Sequence, residues 1–143
     1  MKNITLLLIT SLVFAACGSA ENKTTDTSTD SSVEMNEAPS VKDLAQTELA
    51  GKLKDSSVIL IDVRTPSEVA DGYIPEAGQF IDINGDNFET EIGKLDKNAN
   101  YVMYCRYGGR SGRAAAYMIE NGFTNVSNLE GGFMNYTGEK AKP

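Results

Sequence analysis

The sequence predicts an α/β domain built on a mostly parallel sheet. Short, continuous apolar runs of strand length recur within residues 41–143, and such runs are typical of strands buried on both faces of a parallel sheet. Segments with helical spacing of apolar residues lie between them, and this alternation is typical of α/β folds. The chain has 143 residues and is 41% hydrophobic, which is enough for one domain and excludes a second full-sized one.

Four strands are predicted from apolar runs. They lie at residues 58–61, 80–83, 101–104 and, more weakly, 125–129. The first is a continuous run of Val, Ile and Leu, and β-branched residues favour strands. Ligands of such sheets bind beyond the carboxyl ends of the strands, so that edge is where a site is expected.

The predicted helices lie at residues 46–53, 66–70, 87–95 and 111–121. The second opens with Pro66, which suits the first helical position. In the third, Phe88, Ile92 and Leu95 fall on one face, which is the spacing of a helix that packs against a core. Gly122 follows the fourth helix as a natural C-terminal stop.

Residues 1–16 are predicted to be a signal peptide. Lys2 precedes an apolar run at residues 4–14, which as a helix spans about 17 Å, well short of the roughly 30 Å hydrocarbon core. Two alanines before Cys17 resemble the bacterial lipoprotein lipobox, although Phe14 stands where Leu is commoner. The resemblance implies that Cys17 carries lipid and anchors an exported protein to a membrane of the bacterial cell envelope, facing the periplasm or the cell surface. The alternative is an ordinary secretory signal cleaved near Ala16.

The segment that follows the signal peptide is predicted to be a flexible tether. Residues 17–40 begin with the predicted lipidated cysteine and continue with many Ser, Thr, Asp, Asn and Glu and no aromatic residue. Such a stretch buries too little apolar surface to offset its ordering entropy. The folded domain is therefore expected at residues 41–143.

Composition excludes several kinds of chemistry. The chain has no histidine and two cysteines, so a Ser-His-Asp triad, a Cys-His pair and a His-ligated zinc are excluded, and no metal site is predicted. The formal net charge of -7 disfavours a nucleic-acid partner.

A glycine- and arginine-rich loop at residues 105–113 is the most informative segment. Cys105 ends a predicted strand and precedes a predicted helix, whose first N–H groups and dipole favour an anion. Gly108 and Gly109 allow the backbone to form an anion-binding nest, and Arg106 and Arg110 add positive charge. We therefore expect a reactive thiolate that needs no neighbouring base. The alternative is a buried structural cysteine.

At these residues the chain resembles the rhodanese family of sulfurtransferases. Residues 105–111 (CRYGGRS) are similar to its C-R-x-G-x-R-S loop, and residues 60–68 (LIDVRTPSE) are similar to its IDVR-x-P-x-E segment. Residues 72–77, 121–126 and 129–133 resemble further segments in the same order. The departures are Tyr73 for His, Glu76 for Gly and Tyr136 for Trp.

The resemblance implies a rhodanese-like domain with a mostly parallel five-stranded sheet and helices on both faces. It implies that Cys105 is the catalytic nucleophile and forms a persulfide. The implied substrate-binding residues are Arg106, Tyr107, Gly108, Gly109, Arg110 and Ser111. A structural role as an ion pair and helix cap is expected for Asp62, Arg64 and Glu68.

The expected reaction moves a sulfane sulfur from a small anionic donor such as thiosulfate to cyanide, a thiol or a partner protein, without a cofactor. Phosphatases on the same fold have a C-x5-R loop, whereas this loop is C-x4-R with Ser111 at the next position, which disfavours phosphate chemistry. Two alternatives stay open: a non-catalytic persulfide carrier or binding module, and a thiol redox sensor.

Overall fold

The computed structural model describes residues 39–143. The predicted signal peptide, Cys17 and most of the predicted tether lie outside these described residues. Within them, no helix has both the length and the apolarity needed to cross a membrane.

Five strands and five helices alternate along the described chain. The strands are β1 (Lys42–Leu44), β2 (Val58–Asp62), β3 (Ala77–Phe80), β4 (Asn100–Tyr104) and β5 (Asn125–Leu129). The helices are α1 (Gln46–Lys52), α2 (Pro66–Ala70), α3 (Phe88–Gly93), α4 (Gly109–Glu120) and α5 (Gly132–Asn135). All five strands form one parallel sheet in the order β1-β5-β4-β2-β3. The predicted α/β class with a parallel five-stranded sheet is therefore confirmed.

Helices cover both faces of the sheet. Alternate residues of β4 point to opposite sides: Met103 packs with the buried residues of α3 and α4, whereas Val102 packs with Leu49 of α1. Because β4 lies between β2 and β5, all of its residues from Tyr101 to Tyr104 are buried. This two-sided burial explains the continuous apolar runs in the sequence.

The strand predicted at residues 80–83 is displaced in the structure. The observed β3 begins three residues earlier, and Phe80 alone belongs to both. The Ile81 and Ile83 N–H groups still donate to the Asp62 and Val63 carbonyls, but they do so in a loop beyond the strand. Ile81 is apolar because it is buried in the core.

Several residues of the predicted site lie at the carboxyl end of the sheet. Asp62 ends β2, Cys105 follows β4 directly, and Asn128 lies next to the end of β5. Because the strands are parallel, these positions meet at one edge, where a site is expected in this kind of sheet.

Candidate active site

Cys105 lies at the base of a tight turn between β4 and α4. It is a free cysteine and is 2% exposed. Gly108 has a φ of 96°, in the left-handed region that favours glycine, and this turn aims the Gly108 N–H at the Cys105 Sγ over 3.2 Å. The glycine-rich loop thus forms the predicted nest around the sulfur.

Hydrogen bonds favour the thiolate form of Cys105. Burial by itself raises the pKa of the thiol, but hydrogen bonds from the Ser111 hydroxyl and from the Ser111, Tyr107 and Gly108 N–H groups outweigh it, so the pKa is lowered overall. A thiolate at this position is therefore stabilised without a neighbouring base.

The arginines of the loop take different positions. Arg110 makes two hydrogen bonds of 2.6 and 2.7 Å to the Glu68 carboxylate, and this pairing, together with the nearby charge of Cys105, raises the arginine pKa. Arg106 is exposed and its guanidinium lies 5.6 Å from the Tyr107 ring. No carboxylate within residues 39–143 forms an ion pair with Arg106, so its charge is available to an anion.

Asp62 and Arg64 form a buried ion pair beneath the loop. The Arg64 Nη2 lies 2.6 Å from Asp62 Oδ2, and the side chains are 3% and 0% exposed. The same nitrogen donates to the Gly72 carbonyl over 2.8 Å, and the guanidinium lies 4.1 Å from the centre of the Phe133 ring. The pair therefore connects β2 to the segment before β3 and to α5.

Glu68 makes two structural contacts, and the sequence predicted only one of them. It caps α2, because its carboxylate accepts from the Thr65 N–H and its own N–H donates to the Thr65 hydroxyl. It also pairs with Arg110 of the loop that follows Cys105, a contact that sequence reasoning missed. The Arg110 guanidinium lowers the pKa of Glu68 from 4.5 to about 2.

The short helix α5 supports the loop from below. The Phe133 and Met134 N–H groups donate to the Cys105 and Arg106 carbonyls over 2.8 and 3.0 Å. This close approach requires glycine at position 132, which has a φ of 55°, because a Cβ there would collide with the Cys105 carbonyl oxygen. In the sequence, Gly132 lies within residues 129–133, which resemble a segment of the rhodanese family.

Asn128 is a second residue that sequence analysis missed. Its Oδ1 accepts a hydrogen bond of 2.7 Å from the Ser111 hydroxyl, and its Nδ2 donates to Asp43 Oδ1 over 2.9 Å. This side chain thus connects β1 to Ser111 in the first turn of α4.

A small cavity lies beside the loop. It has a volume of about 160 Å³, and its lining residues are Arg64, Glu68, Asp71, Arg106, Phe133 and Met134. The size suits a small anion or a small thiol. Within the described part of the chain, no group of three or more His, Cys, Asp or Glu side chains is arranged to hold a metal ion.

Known proteins are similar to this chain in sequence and in fold. Residues 45–139 match the family model of the rhodanese-like domain. A sulfurtransferase of Allochromatium vinosum is 36% identical over 95 residues, covering 66% of this chain and 86% of that protein. YtwF of Bacillus subtilis, to which sulfurtransferase activity is provisionally assigned, is 39% identical over 69% of this chain and 93% of its own length. A crystal structure of a rhodanese-like domain protein from Staphylococcus aureus aligns with a TM-score of 0.63 and 33% identity over 72% of this chain and 99% of that one.

Proposed function

Because the chain belongs to the rhodanese-like family, we propose that it is a sulfurtransferase whose Cys105 carries the transferred sulfur as a persulfide. The observation that carries the proposal is the environment of Cys105. Its sulfur is buried, yet hydrogen-bond donors around it lower the pKa of the thiol. A nucleophilic thiolate is what sulfur transfer requires.

The first half of the reaction loads the cysteine. The Cys105 thiolate attacks the outer sulfur of thiosulfate, a bond forms between the two sulfurs, and the sulfur–sulfur bond of thiosulfate breaks. Sulfite leaves with the electron pair of that bond. The exposed Arg106 attracts the dianion and stabilises sulfite as it leaves, because Arg110 is already held by Glu68.

The second half of the reaction removes the sulfur from Cys105. The N–H groups of Tyr107, Gly108 and Ser111 hold the negative charge of the persulfide as they hold that of the thiolate. An acceptor nucleophile, cyanide in the assay and a thiol or a partner protein in the cell, attacks the outer sulfur. The bond to Cys105 breaks, and the thiolate is regenerated without any change in the oxidation state of the protein.

Intact-protein mass spectrometry tests the proposal. Full-length protein incubated with thiosulfate should gain one sulfur atom, and cyanide should remove it as thiocyanate. Cys105→Ser should neither gain the sulfur nor form thiocyanate; thiocyanate formation by this variant would contradict the mechanism. A persulfide that loads but turns over only slowly with cyanide and thiols would favour the carrier alternative. Ready oxidation of Cys105 without any loading from thiosulfate would favour a redox sensor.

We also propose that the protein is exported and anchored through a lipid on Cys17. The support is the short apolar run at residues 4–14 followed by two alanines and Cys17. In a bacterial host, Cys17→Ala should move the protein from the membrane fraction to the soluble fraction, whereas Cys105→Ser should remain with the membrane. Tight membrane association of Cys17→Ala would contradict the anchor.

A further inference from the structure

The loop that begins at Cys105 packs against a turn at residues 130–132. Gly131 and Gly132 both have positive φ, 69° and 55°. Gly132 lies so close to Cys105 that an added Cβ would collide with the Cys105 carbonyl oxygen. Gly108 also approaches the turn, since a Cβ added there would lie 3.4 Å from the Gly131 nitrogen. The 130–132 turn therefore contacts both the residue that carries the sulfur and the residue whose N–H donates to it.

Gln46, the first residue of α1, is hydrogen-bonded to the 130–132 turn. Its Nε2 donates to the Glu130 carbonyl over 2.6 Å and to the Gly132 carbonyl over 3.0 Å. The amide nitrogen thus uses both of its hydrogens on carbonyls two residues apart. These two bonds fix the backbone on either side of Gly131.

The oxygen of the Gln46 amide is unsatisfied. Gln46 Oε1 is buried and has no hydrogen-bond partner within residues 39–143. A buried oxygen without a partner costs free energy, and an apolar side chain of similar length would avoid that cost. Stability alone therefore gives little reason for glutamine at this position, whereas the two bonds from its nitrogen support a role in placing the turn.

We propose that Gln46 is a positioning residue for Cys105, and that it acts through the 130–132 turn to keep the Gly108 N–H aimed at the Cys105 sulfur. The inference deepens the proposed sulfur transfer and rests on it for its purpose. Three contacts connect the two residues. Gln46 fixes the turn, the turn packs against Gly108, and the Gly108 N–H donates to Cys105 Sγ over 3.2 Å. A donor held at this distance stabilises the thiolate.

The charged groups near the sulfur are independent of Gln46. Arg110 is the charged side chain whose pKa responds to Cys105, and it is held by Glu68 of α2 with Asp82 nearby. Methionine is uncharged, like glutamine, and has a similar length, so Gln46→Met leaves these charges in place. A change in the thiol pKa of this variant therefore reports on the hydrogen bonds to the sulfur.

The test is the pH dependence of Cys105 alkylation by iodoacetamide in the full chain, followed on the Cys105 peptide by mass spectrometry. The midpoint of the curve gives the thiol pKa, whereas the plateau at high pH reflects access to the sulfur. Gln46→Met should raise the midpoint by about half a unit, which is roughly threefold less thiolate at a pH below the pKa. The matched control is Gln79→Met, which should leave the midpoint unchanged. Gln79 is the other glutamine of the chain and lies on β3, at the opposite edge of the sheet from β1.

Amide hydrogen exchange, followed by NMR, separates a loss of position from a general loss of stability. The Phe133 and Met134 N–H groups, which donate to loop carbonyls, should exchange faster in Gln46→Met, whereas the N–H groups of β4 should not. Equal acceleration in β4, an unchanged alkylation midpoint in folded Gln46→Met, or equal midpoint shifts in the two glutamine variants would each overturn the proposal. Alkylation needs no sulfur donor, so these outcomes are independent of whether thiocyanate forms.

Gln46→Glu is the second variant, should Gln46→Met fail to fold. A carboxylate has nearly the same shape and suits the first turn of a helix, but it only accepts and so makes no bond to the Glu130 and Gly132 carbonyls. Gln46→Glu should therefore raise the midpoint at least as much as Gln46→Met. Repeating the measurement at about 1 M salt, where the Debye length is about 3 Å, removes the direct effect of the added charge. A shift that disappears at this salt concentration would contradict an action through the turn.

Discussion

Glu68→Gln removes the negative charge of Glu68 but keeps nearly the same side-chain shape, so it tests what the charge contributes to stability. Glutamine keeps the acceptor that caps α2, but it removes the negative charge that faces Arg110 at 2.6 and 2.7 Å. The pKa of Glu68 lies at about 2 instead of 4.5, and at 1.36 kcal/mol per pKa unit this difference corresponds to an upper limit of about 3.4 kcal/mol. The two side chains are 22% and 21% exposed. Because water screens such a pair, we expect a loss of about 1–2 kcal/mol in the free energy of unfolding at pH 7.

The pH dependence of this loss follows from the direction of the shift. A carboxylate whose pKa is depressed in the folded state stabilises the protein fully above its unfolded value of about 4.5. That contribution is lost as the pH falls toward the folded value of about 2. The difference in stability between wild type and Glu68→Gln should therefore be constant from pH 7 to about pH 5 and should shrink steadily below pH 4.5.

Urea unfolding at several pH values between 3 and 7 measures the effect. The matched control is Glu91→Gln, because Glu91 pairs with Lys94 at the same distance of 2.6 Å but the two side chains are 46% and 62% exposed. This control should show no measurable loss of stability. If Glu68→Gln is as stable as wild type at pH 7, or if its loss is the same at pH 3 as at pH 7, then the pairing with Arg110 does not stabilise the fold.

Two further substitutions test the loop and its support. Arg106→Ala should raise the KM for thiosulfate about tenfold and leave the thiol pKa unchanged. The control is Arg113→Ala, at an exposed arginine, which should change neither quantity. Equal effects of the two variants in steady-state kinetics at low ionic strength would show that Arg106 does not guide the anion. Gly132→Ala combines a left-handed φ of 55° with a collision against the Cys105 carbonyl, so it should lower stability by at least about 2 kcal/mol and remove the activity. The control is Gly51→Ala in helix α1, where the added Cβ meets no neighbouring atom within 4 Å; it should be neutral or stabilising by up to about 1 kcal/mol. Similar thermal unfolding of the two glycine variants would contradict the close approach of Gly132 to the Cys105 carbonyl.

Local sequence is sufficient to predict the buried strands and the conformation of the loop that begins at Cys105. β2 and β4 are buried on both faces, so their residues read as continuous apolar runs. The loop from Cys105 to Ser111 is contiguous, and the glycines and the following helix indicate its conformation directly from the sequence.

Elements at the edges of the sheet could not be predicted from apolar runs in the same way. β1 and β3 each pair with a single neighbour and are partly exposed, so they lack an apolar run. β1 has three residues and α5 has four, which is too short for a periodic pattern. This is why both were missed and why the strand around Phe80 was placed too late.

The supporting contacts of the site were missed for a different reason. Asn128 meets Asp43 across a separation of 85 residues, and Glu68 meets Arg110 across 42. No local sequence pattern predicts either contact, because each joins residues that only the folded domain brings together. Glu68 was therefore assigned a structural role at α2 without its partner in the loop.

The position of α5 has a consequence for the order in which the chain is made. Synthesis proceeds from the N-terminus, so Cys105 is produced before Phe133 and Met134, whose N–H groups fix the loop from below. β1 likewise waits for β5, its partner in the sheet. A nascent chain that has passed Cys105 but not α5 thus lacks the two hydrogen bonds to the Cys105 and Arg106 carbonyls, and these contacts form only after the last helix of the domain has been made.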